Sequence, residues 1–193
     1  QYNSTSNTWN QIGSRITDGA AHFGQGVRLS NDGTILLISD YQENSNAGSV
    51  SVYKYINNDW VQQGSTQYGI HSNTYLGHQF NGSVAISGDG SKIVAGGYGA
   101  DLNGTNSGYV QAWQWSRKTY TNPALDVSGR TVSVWGNAEH SASNYTYSQL
   151  GSTLTGASSG IQFGNSMDMD STGTIWAIAD KYNTNVGSVR VYK

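Results

Sequence analysis

Four polar loops carry the residue types from which a binding site is most readily made: Asp40 to Asn46, Tyr98 to Asn106, Asn137 to Ser141, and Asp180 to Asn185. Three of them set a tyrosine close to Asp and Asn. Flat rings that stack, with fixed donors and acceptors that meet hydroxyls, are the means by which proteins hold sugars. On this ground Asp40, Tyr41, Tyr98, Asp101, Asn103, Asp180, Tyr182 and Asn183 are the candidate ligand-binding residues. Ordinary solvated turns use the same residue types, so both readings stand at this point.

Reaction chemistry has a weaker footing. There is no Gly-x-Ser-x-Gly elbow and no His-Glu-x-x-His pair, and Gly97-Tyr98-Gly99 lacks the third glycine of a dinucleotide loop. The carboxylates are scattered through turns and not paired as glycoside hydrolysis requires, so the chain reads as non-enzymatic. His71 and His78 would bind a metal only with a third ligand; otherwise they are solvated or core-edge histidines. Arg117-Lys118 is the one basic pair in a chain of net charge −2, which argues against nucleic acid as a partner. No apolar run reaches membrane length, so membrane insertion is not expected.

A repeat positions these loops. Gly187-Ser188-Val189-Arg190-Val191-Tyr192-Lys193 matches Gly48-Ser49-Val50-Ser51-Val52-Tyr53-Lys54, 139 positions earlier, with one substitution. Extending outward gives a unit: Trp-x-Gln-x-Gly, then Phe-Gly, an alternating strand, a Ser-x-x-Gly turn, a second apolar strand, a polar loop and Gly-x-Val-x-Val-Tyr. The first unit carries Trp9 to Gly13, Phe23-Gly24 and Ser30 to Gly33; the second, Trp60 to Gly64, Phe80-Asn81-Gly82 and Ser87 to Gly90; the last, Tyr147 to Gly151, Phe163-Gly164 and Asp170 to Gly173. A degenerate copy runs from Ala124 to Gly136. The approximate units are 9–59, 60–118, 119–146 and 147–193. Their turn glycines, Gly33, Gly90, Gly129 and Gly173, are 57, 39 and 44 residues apart, a spacing that suits one propeller blade. Val27-Arg28-Leu29-Ser30 and Val84-Ala85-Ile86-Ser87 alternate as half-buried strands do, whereas Thr34 to Ile38 and Thr174 to Ile178 are apolar enough to be covered on both faces. Helical periodicity is missing over any useful length, so the fold class is all-β.

The assembled pattern resembles the propeller repeats of secreted and surface proteins, relatives of the integrin-type Phe-Gly/Gly-Ala-Pro repeat. That resemblance implies a β-propeller of about four units, three full and one degenerate. A ring of four in one chain, half of a larger ring, and a segment of a longer protein are all open. It also implies that the polar loops gather on one face, that the family's role is adhesive or binding, and that Trp9, Trp60, Tyr53 and Tyr192 pack between blades. Related repeats hold Ca²⁺ through Asp-x-Asp/Asn-x-Asp-Gly. Here Asp168, Asp170 and Thr172 occupy those places with Thr172 in place of the third carboxylate, so Ca²⁺, which wants six to eight oxygens, is a weak cofactor candidate against a capped turn. Otherwise no cofactor is expected.

The two ends are circularly continuous. The stretch that follows Tyr53 and leads into Trp60 has its counterpart at Gln1 to Thr8, leading into Trp9. The last blade is therefore expected to take its fourth strand from Trp9 to Gly13, within one chain or from a neighbour, which would hide two sheet edges. The degenerate unit should form a reduced blade with an edge near Pro123, the single proline, and serve as an assembly contact.

Only 11% of the 193 residues are charged and there is no cysteine, so stability must come from aromatic and β-branched packing. The composition fits an extracellular setting, at a cell or particle surface, and the start at Gln1 fits a trimmed mature protein or a fragment. Sequons at Asn3, Asn81, Asn103 and Asn144 permit glycosylation. The expected partners are further copies or other surface proteins, and glycans.

Overall fold

Short alternating segments separated by glycine-centred turns fold back on themselves as antiparallel strands. The computed structural model describes residues 1–18, 22–78, 82–117, 145–181 and 186–193. A small N-terminal hairpin joins β1 (Tyr2–Asn3) to β2 (Thr8–Trp9). The first sheet follows, with the main path β3 (Gly26–Leu29), β4 (Ile35–Asp40), β5 (Ser49–Ile56), β6 (Asp59–Gln62), and with β7 (Gln67–Tyr68) also on β5. The second sheet runs β8 (Val84–Ile86), β9 (Lys92–Gly97), β10 (Tyr109–Arg117), β11 (Tyr145–Gln149), with β12 (Leu154–Thr155) on β10. The third has three strands, β13 (Ser166–Met169), β14 (Trp176–Asp180) and β15 (Ser188–Tyr192). The protein is all-β, and no helix of the described residues is long and apolar enough to cross a membrane.

Cross-strand register fixes what each sheet puts on its two faces. Arg28, Leu37 and Val52 form one row of the first sheet; Ala85, Val94 and Ala112 form the same row of the second, and Asp168, Ala177 and Val191 that of the third. We call this the leading face. The trailing face carries Val27-Ile38-Ser51, Val84-Ala95-Gln111 and Met167-Ile178-Arg190 in turn. Leu37, Val50 and Val52 of the first leading face share one buried cluster with Val84, Ile93 and Ala95 of the second trailing face. Val94, Val110 and Ala112 of the second leading face share another with Met167 and Ile178 of the third trailing face. The sheets therefore stack in order, each interface repeating the last, with innermost strands β3, β8 and β13 side by side. Each fully buried Val or Leu contributes about 1.5–3 kcal/mol.

Three expectations need correction. The Trp9 strand does not close the third sheet within the chain: Trp9 pairs with Tyr2, is 81% exposed, and so is not inter-sheet core. The hairpin is local: Asn3 Oδ1 braces its turn by accepting from the N–H groups of Thr5 and Ser6. Among the described residues no closed ring of sheets is present.

The second correction concerns the run from Asn144 to Gly151, which follows the degenerate copy in sequence and on that ground is expected to supply the outer strands of its reduced blade; Tyr145 to Gln149 is a strand. It pairs instead with Arg117 to Trp113 as the fourth strand of the second sheet. Aromatic packing draws it there: Trp115 stacks on Tyr145 at 5.9 Å and meets Tyr147 at 5.0 Å. The segment 118–144, with Pro123 and the expected degenerate blade, lies outside the described residues.

Thirdly, the second unit's counterpart of Phe23-Gly24 and Phe163-Gly164 is Leu76-Gly77. Leu76 bridges to Gly48 as Phe163 does to Gly108, and both are fully buried. Phe80 and Asn81 lie outside the described residues.

Candidate functional site

The loops after β4 and β9 begin where a buried strand end gives way to left-handed backbone, with Asn44, Ser45, Asn46 and Asn106 at φ between 51° and 62°. Most of the polar candidates brace these loops. Asp40 is buried and accepts from the Gln42 N–H at 2.9 Å. Asp101 accepts from the Asn106 N–H at 2.7 Å, and the Asn103 amide donates to Thr155 Oγ1 and the Gly156 carbonyl at 3.0 and 2.8 Å. A glycan on Asn103 would replace one of the two amide hydrogens and so remove at least one of the latter bonds. Asp180 is buried, accepts from Ser188 Oγ at 2.7 Å and pairs with the Arg190 guanidinium at 3.0 Å. That guanidinium lies over the Phe163 ring, 5.0 Å from its centre. Tyr182 and Asn183, and the sequons Asn81 and Asn144, lie outside the described residues; Asn3 is exposed in the N-terminal hairpin.

Among the described candidates only Tyr41 and Tyr98 come together, and they do so through His78, read from sequence as a metal ligand or a solvated or core-edge histidine, and through Tyr75 and His22, which sequence reasoning did not place. His78 meets Tyr41 edge-on at 4.3 Å and Tyr98 at 5.1 Å; Tyr75 stacks on Tyr98 at 5.4 Å, and His22 meets Tyr41 at 4.9 Å. Tyr75 stands just before Leu76-Gly77, and His22 just before Phe23-Gly24. An apolar-Gly alignment that preferred Leu76 over Phe80 would have found both. Burial lowers the His78 pKa, and the Lys181 charge lowers it further. Burial, then Tyr75 and Tyr41, raises that of Tyr98. His71 takes no part in these ring contacts; its carbonyl accepts from Thr74 Oγ1.

The calcium candidate is a turn whose hydrogen bonds have changed polarity. In the first two turns Ser30 and Ser87 donate to Asp32 and Asp89 at 2.7 Å, and the same serine oxygens accept the Ile35 and Lys92 N–H groups at 2.9 Å. In the third, Asp170 stands in the serine's place and Thr172 in the aspartate's. Thr172 donates to Asp170, which also accepts the N–H groups of Thr174 and Ile175 at 2.7 Å. Both Asp170 oxygens thus serve the turn, and the Thr172 hydroxyl, first among these bonds, holds its carboxyl far below the usual range. Asp168 is exposed and accepts from the Met169 N–H. Among the described residues no group of three His, Cys, Asp or Glu could hold a metal ion.

The two outer faces of the stack remain. On the leading face of the third sheet Val189 and Val191 are 66% and 67% exposed; their counterparts Val50, Val52, Val110 and Ala112 are buried. On the trailing face of the first sheet Val27 and Leu29 are 46% and 55% exposed. The outer edge of β15 carries no fourth strand among the described residues. No protein-family model and no curated protein matches the chain.

Proposed function

We propose that this chain is a non-enzymatic, propeller-type repeat module acting at a cell or particle surface through self-assembly or adhesion. The observation that carries the reading is the exposed apolar residues at the two ends of a stack whose inner interfaces are buried: Val189 and Val191 of β15 at one end, and at the other Val27 and Leu29 of β3, beside Ile38 and Ser51, which are buried. Contiguous exposed apolar surface of this kind marks an interaction site. A chain with 11% charged residues has little electrostatic defence against association there. The braced carboxylates Asp40, Asp101, Asp170 and Asp180 support a role without catalysis, since their oxygens hold loops and turns.

A second reading, glycan binding, is favoured by one observation, the cluster of Tyr41, Tyr75, Tyr98, His22 and His78 at the loop end. Stacking on such rings suits the apolar face of a sugar. Sedimentation velocity over a hundredfold range of concentration, beside a glycan array probed with the same protein, separates the two. Assembly without glycan binding supports the module; a strict monomer that binds glycans and loses them on Tyr98→Ala supports the second reading; a monomer that binds none contradicts both.

A further inference from the structure

Resting on the assembly reading, we infer that the open leading face of the third sheet receives the trailing face of the first sheet of a second copy of this chain, head to tail, and that the second copy's Trp9 segment completes β15. Four observations converge on this one register.

The first is a glycine without a local cause. A Cβ on Gly48 would lie 2.3 Å from the Leu76 carbonyl oxygen, and one on Gly108 2.3 Å from that of Phe163, so the following unit's backbone demands glycine at both. Both also have φ near 80°. Gly187 is their counterpart, yet it has no positive φ, and among the described residues a Cβ there would meet nothing closer than 3.4 Å. Its glycine is accounted for once Phe23-Gly24 of another copy occupies the place that Leu76-Gly77 and Phe163-Gly164 take within the chain.

The second is a backbone ladder that runs along the turns. The Asn31 N–H donates to the Gly88 carbonyl at 2.8 Å, and the Gly88 N–H to the Ser171 carbonyl at 2.7 Å. The series begins on the open side of the first sheet and ends on the open side of the third, so the next step of the repeat sends the Ser171 N–H to the Asn31 carbonyl of a second copy. The side chains follow the same order. Ile35 lies over Gly90 and Lys92 over Gly173, while Ile175, their counterpart, is exposed.

The third concerns the N-terminal segment, which sits on the first sheet as the preceding sheet's fourth strand would. A Cβ on Gly64, just after β6, would touch Thr146 of β11 in the next sheet at 3.3 Å; one on Gly13 would touch Asp59, the Thr146 counterpart on β6, at 3.1 Å. The Ser14 N–H also donates to Asp59 Oδ1 and the Trp60 indole to the Ile12 carbonyl.

The fourth is the shape of the N-terminal hairpin. Tyr2 meets Trp9 at 5.2 Å and 50°, as Tyr55 meets Trp60 at 5.2 Å and 56° at the tip of β5 and β6. It is the missing outer tip of a sheet that has β15 as its third strand. The Gln11 amide donates to the Gly13 carbonyl at 3.0 Å, as that of Gln149 does to Gly151 at 3.1 Å.

Such an interface is heterologous, joining different surfaces of two copies, and it generates a ring if the rotation closes and a filament if it does not. The chain has no cysteine, so two single variants test the register. Asn31→Cys and Ser171→Cys proteins, mixed and oxidised, should give a disulfide-linked pair of unlike chains at least tenfold in excess over like pairs. A Val189→Glu, Val191→Glu variant should melt as wild type does when diluted to the monomer, and should itself sediment as a monomer at every concentration. Assembly that persists in that variant, or assembled wild type whose mixed variants give no excess of unlike pairs, overturns this interface and leaves the assembly reading standing. A wild-type chain that is monomeric throughout overturns both.

Discussion

Asp32 accepts from the hydroxyls of Ser30 and Thr34 and from the Thr34 N–H, all within 3.0 Å. These bonds, the Ser30 hydroxyl foremost, bring its pKa from 3.8 down to about 2. Asp89 is lowered by the same set, led by Ser87. Between about pH 4 and pH 2 the unfolded chain takes up protons that the folded chain refuses, so stability falls as pH falls. Thermal melts from pH 5 to pH 2 should therefore show a declining melting temperature that is shallower in Asp32→Asn; equal slopes would contradict the turn's dependence on an ionised carboxylate. Arg190 has the opposite kind of leverage. Its partner Asp180 is fully buried, so Arg190→Ala strands a charge inside the third sheet and should destabilise by about 3 kcal/mol. Denaturant titration checks it, and a loss below about 1 kcal/mol would mean that the pair is already solvated.

Strands and turns follow the repeat, and β10 with β11 supplies the element-scale test. Ser116 pairs with Thr146 in the register in which Ile56 pairs with Asp59 across Asn57-Asn58, and Arg117 and Tyr145 stand where those two asparagines do. Both asparagines have φ between 51° and 64°, as a two-residue hairpin turn requires. Replacing 117–145 by Asn-Gly should thus give a folded protein by circular dichroism, because the new turn closes on Ser116 and Thr146 as Asn57-Asn58 closes on Ile56 and Asp59. A variant that fails to fold would contradict the pairing. In the sequence, β3, β4 and β5 were legible because Val27 to Ser30 and Val50 to Tyr53 alternate and Thr34 to Ile38 is continuously apolar, each in phase with its turn. The insertion was not, since Tyr147-Ser148-Gln149-Leu150-Gly151 has the same local pattern whichever third strand it pairs with. Nor was Leu76-Gly77, where Phe80 offered a better match by residue type but the backbone bridge to Gly48 selects Leu76. Of the candidate site, Tyr41 and Tyr98 were legible from their loops. Tyr75 and His78 were not, because their contacts depend on how neighbouring sheets stack. Asp40, Asp101 and Asn103 were read as ligand groups because a loop-bracing polar residue and a ligand-binding one have the same composition.

For the whole molecule, the consequence of stacking is directional. Among the described residues the first two sheets bury their leading faces under the next, and Val189 and Val191 lie in the open at one end and Val27 and Leu29 at the other. Covering those four side chains contributes favourable burial free energy at the usual rate of about 25 cal/mol per Å², and pairing β15 removes an exposed edge. Cryo-electron microscopy of the assembled protein tests this most directly. The account predicts a subunit boundary at which β15 of one copy lies beside the Trp9 strand of the next, and at which Val189 and Val191 pack against the sheet carrying Val27 and Leu29. A boundary that joins two like faces, or one that leaves β15 and both valines in solvent, would contradict it.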